Sequence, residues 1–212
     1  MEHSDASRAK GGIRDRRRAD LISEIHHIAL QKFREQGYAD MALKSICDEA
    51  GISLRTLFRH FKGKDAILGY GIERYERRIR ERLATRPLGE PLLIAYRYAI
   101  DEMLTDMVSE PESARLTARL LQEVPAIRAQ YLVPSSEHQI DAIDEELARR
   151  LRRTPGDGPV RLLRTVLVVA VVQAMTEWAA GDGKDLHGLV DRYLGLLQSF
   201  VEGVGNDSTG DA

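Results

Sequence analysis

Few of the features that would tie this chain to a membrane, a disulfide framework or a strongly charged partner are present. Its 212 residues contain one cysteine, Cys47, so no disulfide can close within the chain, and a lone thiol fits a reducing compartment. Long hydrophobic runs are missing: the longest, Val166 to Val172, has seven residues, where a membrane-spanning helix needs roughly 20. The N-terminus lacks the apolar core of a secretory signal, which predicts a cytoplasmic protein. Internal repeats and low-complexity tracts are absent. The formal net charge is only −2, which argues against a wholesale polyanion binder. That charge is unevenly spread, however. Residues 1 to 64 hold 13 Lys or Arg against 9 Asp or Glu, a net +4 that leaves −6 for the rest. A basic end on an acidic body points one end at nucleic acid.

Within that basic end, Leu43 to Phe61 (LKSICDEAGISLRTLFRHF) carries the most information. Leu43, Ile46, Cys47 and Ala50 recur at i, i+3, i+4 and i+7, one buried face of a short helix, and Gly51 supplies the positive φ of a sharp exit. Ile52 fills the gap, Ser53 is placed to cap a second helix, and Leu57 with Phe61 pins that helix down. Leu54, Arg55, Thr56, Arg59 and His60 remain on its other faces. This is the pattern of a helix-turn-helix, whose second helix can enter a major groove. Upstream, Leu21, Ile22, Ile25, Ile28, Ala29 and Phe33 mark a first helix ending at Gly37, with Tyr38 just beyond as a core plug.

The order of these parts, a helix ending in Gly-Tyr, the run from Ile46 to Phe61, then Lys64 and a long fourth helix, resembles the DNA-binding domain of the tetracycline-repressor (TetR) family of bacterial regulators over about residues 14 to 85. The resemblance implies an all-α, homodimeric, ligand-responsive repressor whose third helix reads DNA and whose remaining helices bind an effector. Three positions depart from the family pattern. Met41 and Ala42 stand where a capping Thr is usual, leaving Asp40 as the nearest substitute cap. Phe58 replaces a common Tyr and loses one phosphate hydrogen bond. Gly63 replaces a Ser or Thr before the fourth helix.

Along the chain, residues 1–12 read as a disordered arm, 13–85 as the helix-turn-helix domain with its linking helix, 86–204 as a helical ligand-binding and dimerisation domain, and 205–212 as a disordered tail. About nine helices are expected. Pro87 and Pro91 break the chain after the linking helix. Pro111 and Pro125 open later helices, and Pro134 interrupts the second of these before a restart marked by Ser136 and Gln139. Thr154 to Pro159 is a loop. Val160 to Ala180 and Leu186 to Val204 are the last two helices, the latter with Leu189, Tyr193, Leu196, Leu197 and Phe200 inward. Their apolar content makes them the expected homodimer contact.

Expected DNA contacts follow from chemistry and from the resemblance. Arg14, Arg16, Arg17 and Arg18 sit in the first turns of a helix, where the dipole disfavours cations, so a phosphate partner is implied. Lys44, Ser53 and Phe58 join them around the motif. Arg55 suits guanine, Thr56 a thymine methyl or a phosphate, Leu54 a base methyl, and Arg59, His60 and Lys64 suit phosphates. For an effector, Tyr96, Met103, Met107, Tyr131, His138, Gln173, Met175 and Trp178 offer soft apolar surface with sparse polar groups.

No catalytic, metal or cofactor set is expected. Glu24-x-x-His27 lies off the apolar stripe, adjacent His26 and His27 point about 100° apart, Cys47 reads as a core residue, and Gly181-x-Gly183 follows a helix rather than a strand. The competing reading is a helical small-molecule-binding protein or enzyme whose helix-turn-helix is only structural. The Arg14–Arg18 cluster with Arg55, Arg59 and Lys64 argues against it.

Overall fold

The structure, a computed structural model, describes the backbone of residues 2–131, 142–181 and 185–207, and the side chains of residues 15–125, 127–129, 143–181 and 185–199. Among the described residues it is all-helical. The helices are α1 (Glu2–Gln36), α2 (Leu43–Glu49), α3 (Leu54–His60), α4 (Lys64–Ala84), α5 (Leu92–Ser109), α6 (Pro111–Glu123), α7 (Pro125–Tyr131), α8 (Ala142–Leu151), α9 (Gly158–Ala179) and α10 (Leu186–Asp207). They form two compact units, Met1–Gly71 and Ile72–Ala212, and the division falls inside α4.

In the first unit, Ile25, Ile28, Ala29 and Phe33 form a buried stripe of α1, which packs on α2 as α2 packs on α3, and Ile46, Cys47, Leu57, Phe61, Ile67 and Leu68 are buried with it. Aromatic edges complete the contact: His26 meets the Tyr70 ring edge-on at 5.5 Å, and Phe61 meets the same ring at 5.9 Å. A Cβ at Gly71 would stand 2.7 Å from His26 Nε2, so any larger residue there would displace the imidazole from its place against Tyr70.

The second unit packs α9 against α6, α8 and α10, and α5 against α6 and α10. Its apolar core runs through Ala95, Tyr96, Ile100 and Leu104 on α5, Leu116 and Leu120 on α6, Leu147 on α8, Leu167, Ala174 and Trp178 on α9, and Val190 on α10. The part of α4 that belongs to this unit is held by charge. Arg78 pairs with Asp106 at 2.8 Å and with Glu102, Arg82 pairs with Glu102 at 3.0 Å, and Arg164 of α9 reaches Glu76 at 2.8 Å. At the end of α4, Arg150 of α8 donates to the carbonyls of Leu83, Arg86 and Pro87 at 2.7, 3.0 and 3.1 Å. The Leu83 and Pro87 carbonyls also accept from the Arg86 and Glu90 N–H groups at 3.1 Å, so the guanidinium adds a second donor there and caps the end of α4 from the side, and Glu146 at 3.0 Å balances its charge.

Several expectations are corrected. Helix α1 begins at Glu2, ahead of the helix start expected near residue 13. Helix α10 runs to Asp207 where a tail from 205 is expected, and residues 208–212 lie outside the described residues. Pro159 is not in the loop but in the first turn of α9, where its missing N–H has no helical partner to lose. Tyr38 is half-buried rather than a core plug: its ring lies 4.9 Å from Phe33 while its hydroxyl reaches out to the Asp65 carboxylate. On α10 the inward stripe is Leu186, Leu189, Val190 and Leu194, which leaves Leu196 outward at 59% exposure. Pro134, Ser136, Gln139 and Gly183 fall outside the described residues.

The Arg150 side chain is 3% exposed, whereas Arg149, which bonds the same Glu146, is half-exposed. Removing one partner of a buried charged pair costs about 3–5 kcal/mol, and breaking a surface pair costs about 1 kcal/mol or less. Arg150→Ala is therefore expected to lower the urea-unfolding free energy several-fold more than Arg149→Ala. Equal losses would remove the capping role.

Candidate nucleic-acid interface

The turn before α2 is set by Gly37, at φ +82°, and by Met41, which is 1% exposed. The N-cap is Ala42, and no side chain caps the helix; exposed Asp40 does not take that part. Met41 and Ile46 instead occupy the N′ and N4 positions of a hydrophobic staple, both buried, so packing fixes the entry angle that a capping hydroxyl would otherwise help to set. Helix α2 ends in a Schellman turn: Gly51 adopts φ +63°, and the Ile52 N–H donates to the Cys47 carbonyl at 3.0 Å. Ser53 then starts α3, its hydroxyl accepting from the Thr56 N–H at 3.1 Å.

With Leu57 fully buried, the 100° step of the helix turns Leu54, Arg55, Phe58 and Arg59 outward. Leu54 is 43% and Phe58 52% exposed, an apolar surface on a charged helix that no described neighbour covers. Thr56 is half-buried, and its hydroxyl shares a 2.9 Å hydrogen bond with Ser53. Both hydroxyls are thus engaged within the cap.

The remaining basic residues divide. Arg16, Arg17 and Arg18 are exposed on α1, and the side chain of Arg14 lies outside the described residues. Arg17, Arg18 and Leu21 line one side of a cleft of about 430 Å³ whose other side is Arg59 and His60. Burial first, then the charges of Arg59 and Arg18, hold the His60 imidazole below its ordinary pKa. Lys44 is exposed but already paired with Asp48 at 2.7 Å, one turn along α2. Lys64 is not a free cation: its ammonium donates to the carbonyls of Tyr38 at 2.9 Å and Ala39 at 2.8 Å, latching the turn after α1 to the start of α4. The sequence reading misses that latch, and it also misses Lys62, an exposed lysine in the α3–α4 loop.

In the second unit, Tyr96, Met103 and Met107 on α5 and Met175 and Trp178 on α9 are all buried, on two helices that both pack against α6. Burial pushes the Tyr96 phenol well up, and the Glu76 carboxylate adds to the shift. The Arg115 guanidinium lies 5.2 Å from the centre of the Trp178 ring. Gln173 does not join this set. It is exposed and shares the outward stripe of α9 with Leu162, Val166 and Val169. The Tyr131 side chain and His138 lie outside the described residues. Among the described residues no group of three or more His, Cys, Asp or Glu is placed to hold a metal. Glu24 and His27 are exposed, and Cys47 is buried with its thiol pushed up by that burial.

Comparison with known proteins follows the same division. Residues 25–70 match the bacterial regulatory proteins of the tetR family, and residues 90–202 match the MftR C-terminal domain. The HTH-type transcriptional regulator TcmR of Streptomyces glaucescens is 27% identical over 200 residues, covering 89% of this chain and 86% of its own. The fatty acid metabolism regulator protein of Bacillus subtilis is 28% identical over 190 residues, covering 84% and 94%. Among solved structures, Thermus thermophilus FadR, a TetR-family repressor crystallised with lauroyl-CoA, superposes with a TM-score of 0.55 at 21% identity, covering 84% of this chain and 93% of that one.

Proposed function

The chain belongs to the tetR family of bacterial regulatory proteins and is a DNA-binding transcriptional regulator rather than an enzyme, and from that premise we propose that it acts as a homodimeric repressor on a palindromic operator and is released by a small apolar or amphipathic effector. The observation that carries the DNA half is the outward face of α3: Leu54, Arg55, Phe58 and Arg59 stand free because Leu57 is buried. Arg55, one turn from Arg59, reads base edges, and Arg16 to Arg18 with Lys62 meet phosphates. Such a protein works in the cytoplasm.

Support for the dimer comes from surface that a single chain leaves open. Helix α9 is long and apolar enough to cross a membrane by length and composition, yet only 39% of its most apolar 18-residue stretch is buried. Leu162 at 66% exposure, Val169 and the outward Leu196 of α10 form the open part. A second copy covers that surface, and two recognition helices then fall about 34 Å apart, or a multiple of it.

The proposed effector site lies among α5, α6 and α9, where Met103, Met107, Met175 and Trp178 are buried. A ligand that favours one conformation of the dimer lowers DNA affinity by the factor by which DNA lowers its own. An acyl chain suits this lining, and the Bacillus relative is named for fatty acid metabolism.

Three outcomes are expected. Arg55→Ala should cost roughly 1–3 kcal/mol on the operator and little on random duplex, measured by fluorescence anisotropy; an equal loss on both would make Arg55 a phosphate contact. Wild-type protein should scatter light as two 23.8 kDa chains, and Leu196→Glu should shift it to monomer or aggregate. A folded wild-type monomer at micromolar concentration would end the two-fold model. Lauroyl-CoA should change the emission of Trp178, the single tryptophan, and release bound operator. Binding without release would show a pocket with no switch.

A further inference from the structure

We propose that the cleft between α1 and α3, lined by Arg17, Arg18, Leu21, Arg59 and His60, binds one tetrahedral oxyanion, a single backbone phosphate when DNA is present, and that filling it places a proton on His60. The proposal deepens the DNA-binding reading and rests on it for the identity of the ligand.

The lining is cationic on both sides. Three guanidinium groups and an imidazole surround about 430 Å³, no carboxylate is among the lining groups, and among the described residues none of the three arginines has a carboxylate partner. Elsewhere Arg78, Arg82, Arg86, Arg97, Arg149, Arg150, Arg164 and Arg192 have their charge met by carboxylates, which the arginines of the cleft do not. Like charges gathered without counter-charge repel one another, and a guanidinium fork matches the edge of a tetrahedral oxyanion with two parallel hydrogen bonds. The cleft is therefore built for an anion.

His60 makes the site responsive. Its Nδ1 is shielded from solvent without a hydrogen-bond partner, and its Nε2 lies 3.4 Å from an Arg59 nitrogen. The charged groups facing it are Arg59 on its own helix and Arg17 and Arg18 on α1, all positive. They join desolvation in keeping the ring neutral. An oxyanion in the cleft reverses the local sign, so both ring nitrogens can carry protons and one can donate to the anion. The linkage has one direction. Anion binding takes up a proton, so affinity rises as pH falls through the His60 midpoint and is flat well above it. A phosphodiester does not titrate in that range, so the proton goes to the protein.

The test follows the histidine ring signals of the full chain by NMR across a pH series, with and without sulfate at constant ionic strength. Sulfate keeps its charge throughout, and His60→Gln assigns the signal among six histidines. The His60 midpoint should rise by about one unit, equivalent to roughly tenfold tighter sulfate binding to the protonated ring, and the rise should saturate while exposed His27 stays still. The response should vanish in Arg17→Ala/Arg59→Ala and persist in Arg119→Ala, at an exposed arginine of α6. A His60 shift no larger than that of His27 is screening only and overturns the site. A short duplex should raise the midpoint as sulfate does and compete with it. Sulfate saturation with no competition from duplex overturns the assignment to DNA phosphate. Duplex that binds without moving His60 overturns the cleft and leaves the DNA-binding reading intact.

Discussion

The outward chemistry of α3 depends on one inward side chain. A helix of seven residues is far below the roughly 12–15 needed for stability in isolation, so α3 holds its shape and its rotation only through what it packs against. Leu57 at 0% exposure, followed four residues on by Phe61, supplies that. Burying such a side chain contributes about 1.5–3 kcal/mol, more than the roughly 1 kcal/mol of the Ser53 cap and well above the exposed Lys44–Asp48 pair at about 0.3–0.5 kcal/mol. Packing therefore sets the rotation of the helix, and the cap sets where it begins. Arg55 and Arg59 face outward as a consequence.

Elsewhere charge joins apolar packing in positioning the helices. Helix α4 carries Arg78 and Arg82 against Glu102 and Asp106 of α5 and receives Arg164 from α9 and Arg150 from α8. Partly buried pairs of this kind add little net stability against an apolar alternative, but losing one partner is expensive. They specify one seat for the helix. Because α4 is divided between the two compact units, the groups that seat its second half bear on the same helix whose first turns carry Lys64 and its latch to Tyr38 and Ala39.

What sequence patterning made legible follows from what patterning measures. The stripe from Ile25 to Phe33, the Gly37 and Gly51 turns, and the split of α3 into Leu57 inside and Arg55 outside are local consequences of a 3.6-residue period and of positive φ, and they could be read residue by residue. Interactions at long sequence separation could not. Nothing near Lys64 announces carbonyl partners at Tyr38 and Ala39, and nothing near Arg150 announces the end of α4 some 60 residues earlier. Amphipathic analysis also weakens where a helix is apolar on several faces. On α9 and α10 it placed Gln173 in a pocket and Leu196 in the core, whereas both face outward, because valine and leucine on every side leave the period with little contrast. The family resemblance identified the motif and its class, and it marked Met41 and Ala42 as a departure where a capping Thr is usual; what it left open was that Met41 is buried there and that Asp40 caps nothing.

The central claim is that the basic end of the chain, with α3 outward, is a duplex-binding face held to phosphates by unpaired arginines. The salt dependence of duplex binding tests it most directly, measured by fluorescence anisotropy from low to physiological salt. The account predicts a linear fall of log K with log salt, of about 0.9 per neutralised phosphate, steep enough to count several phosphates for each chain. A flat response, with duplex bound equally at every salt concentration, would contradict it.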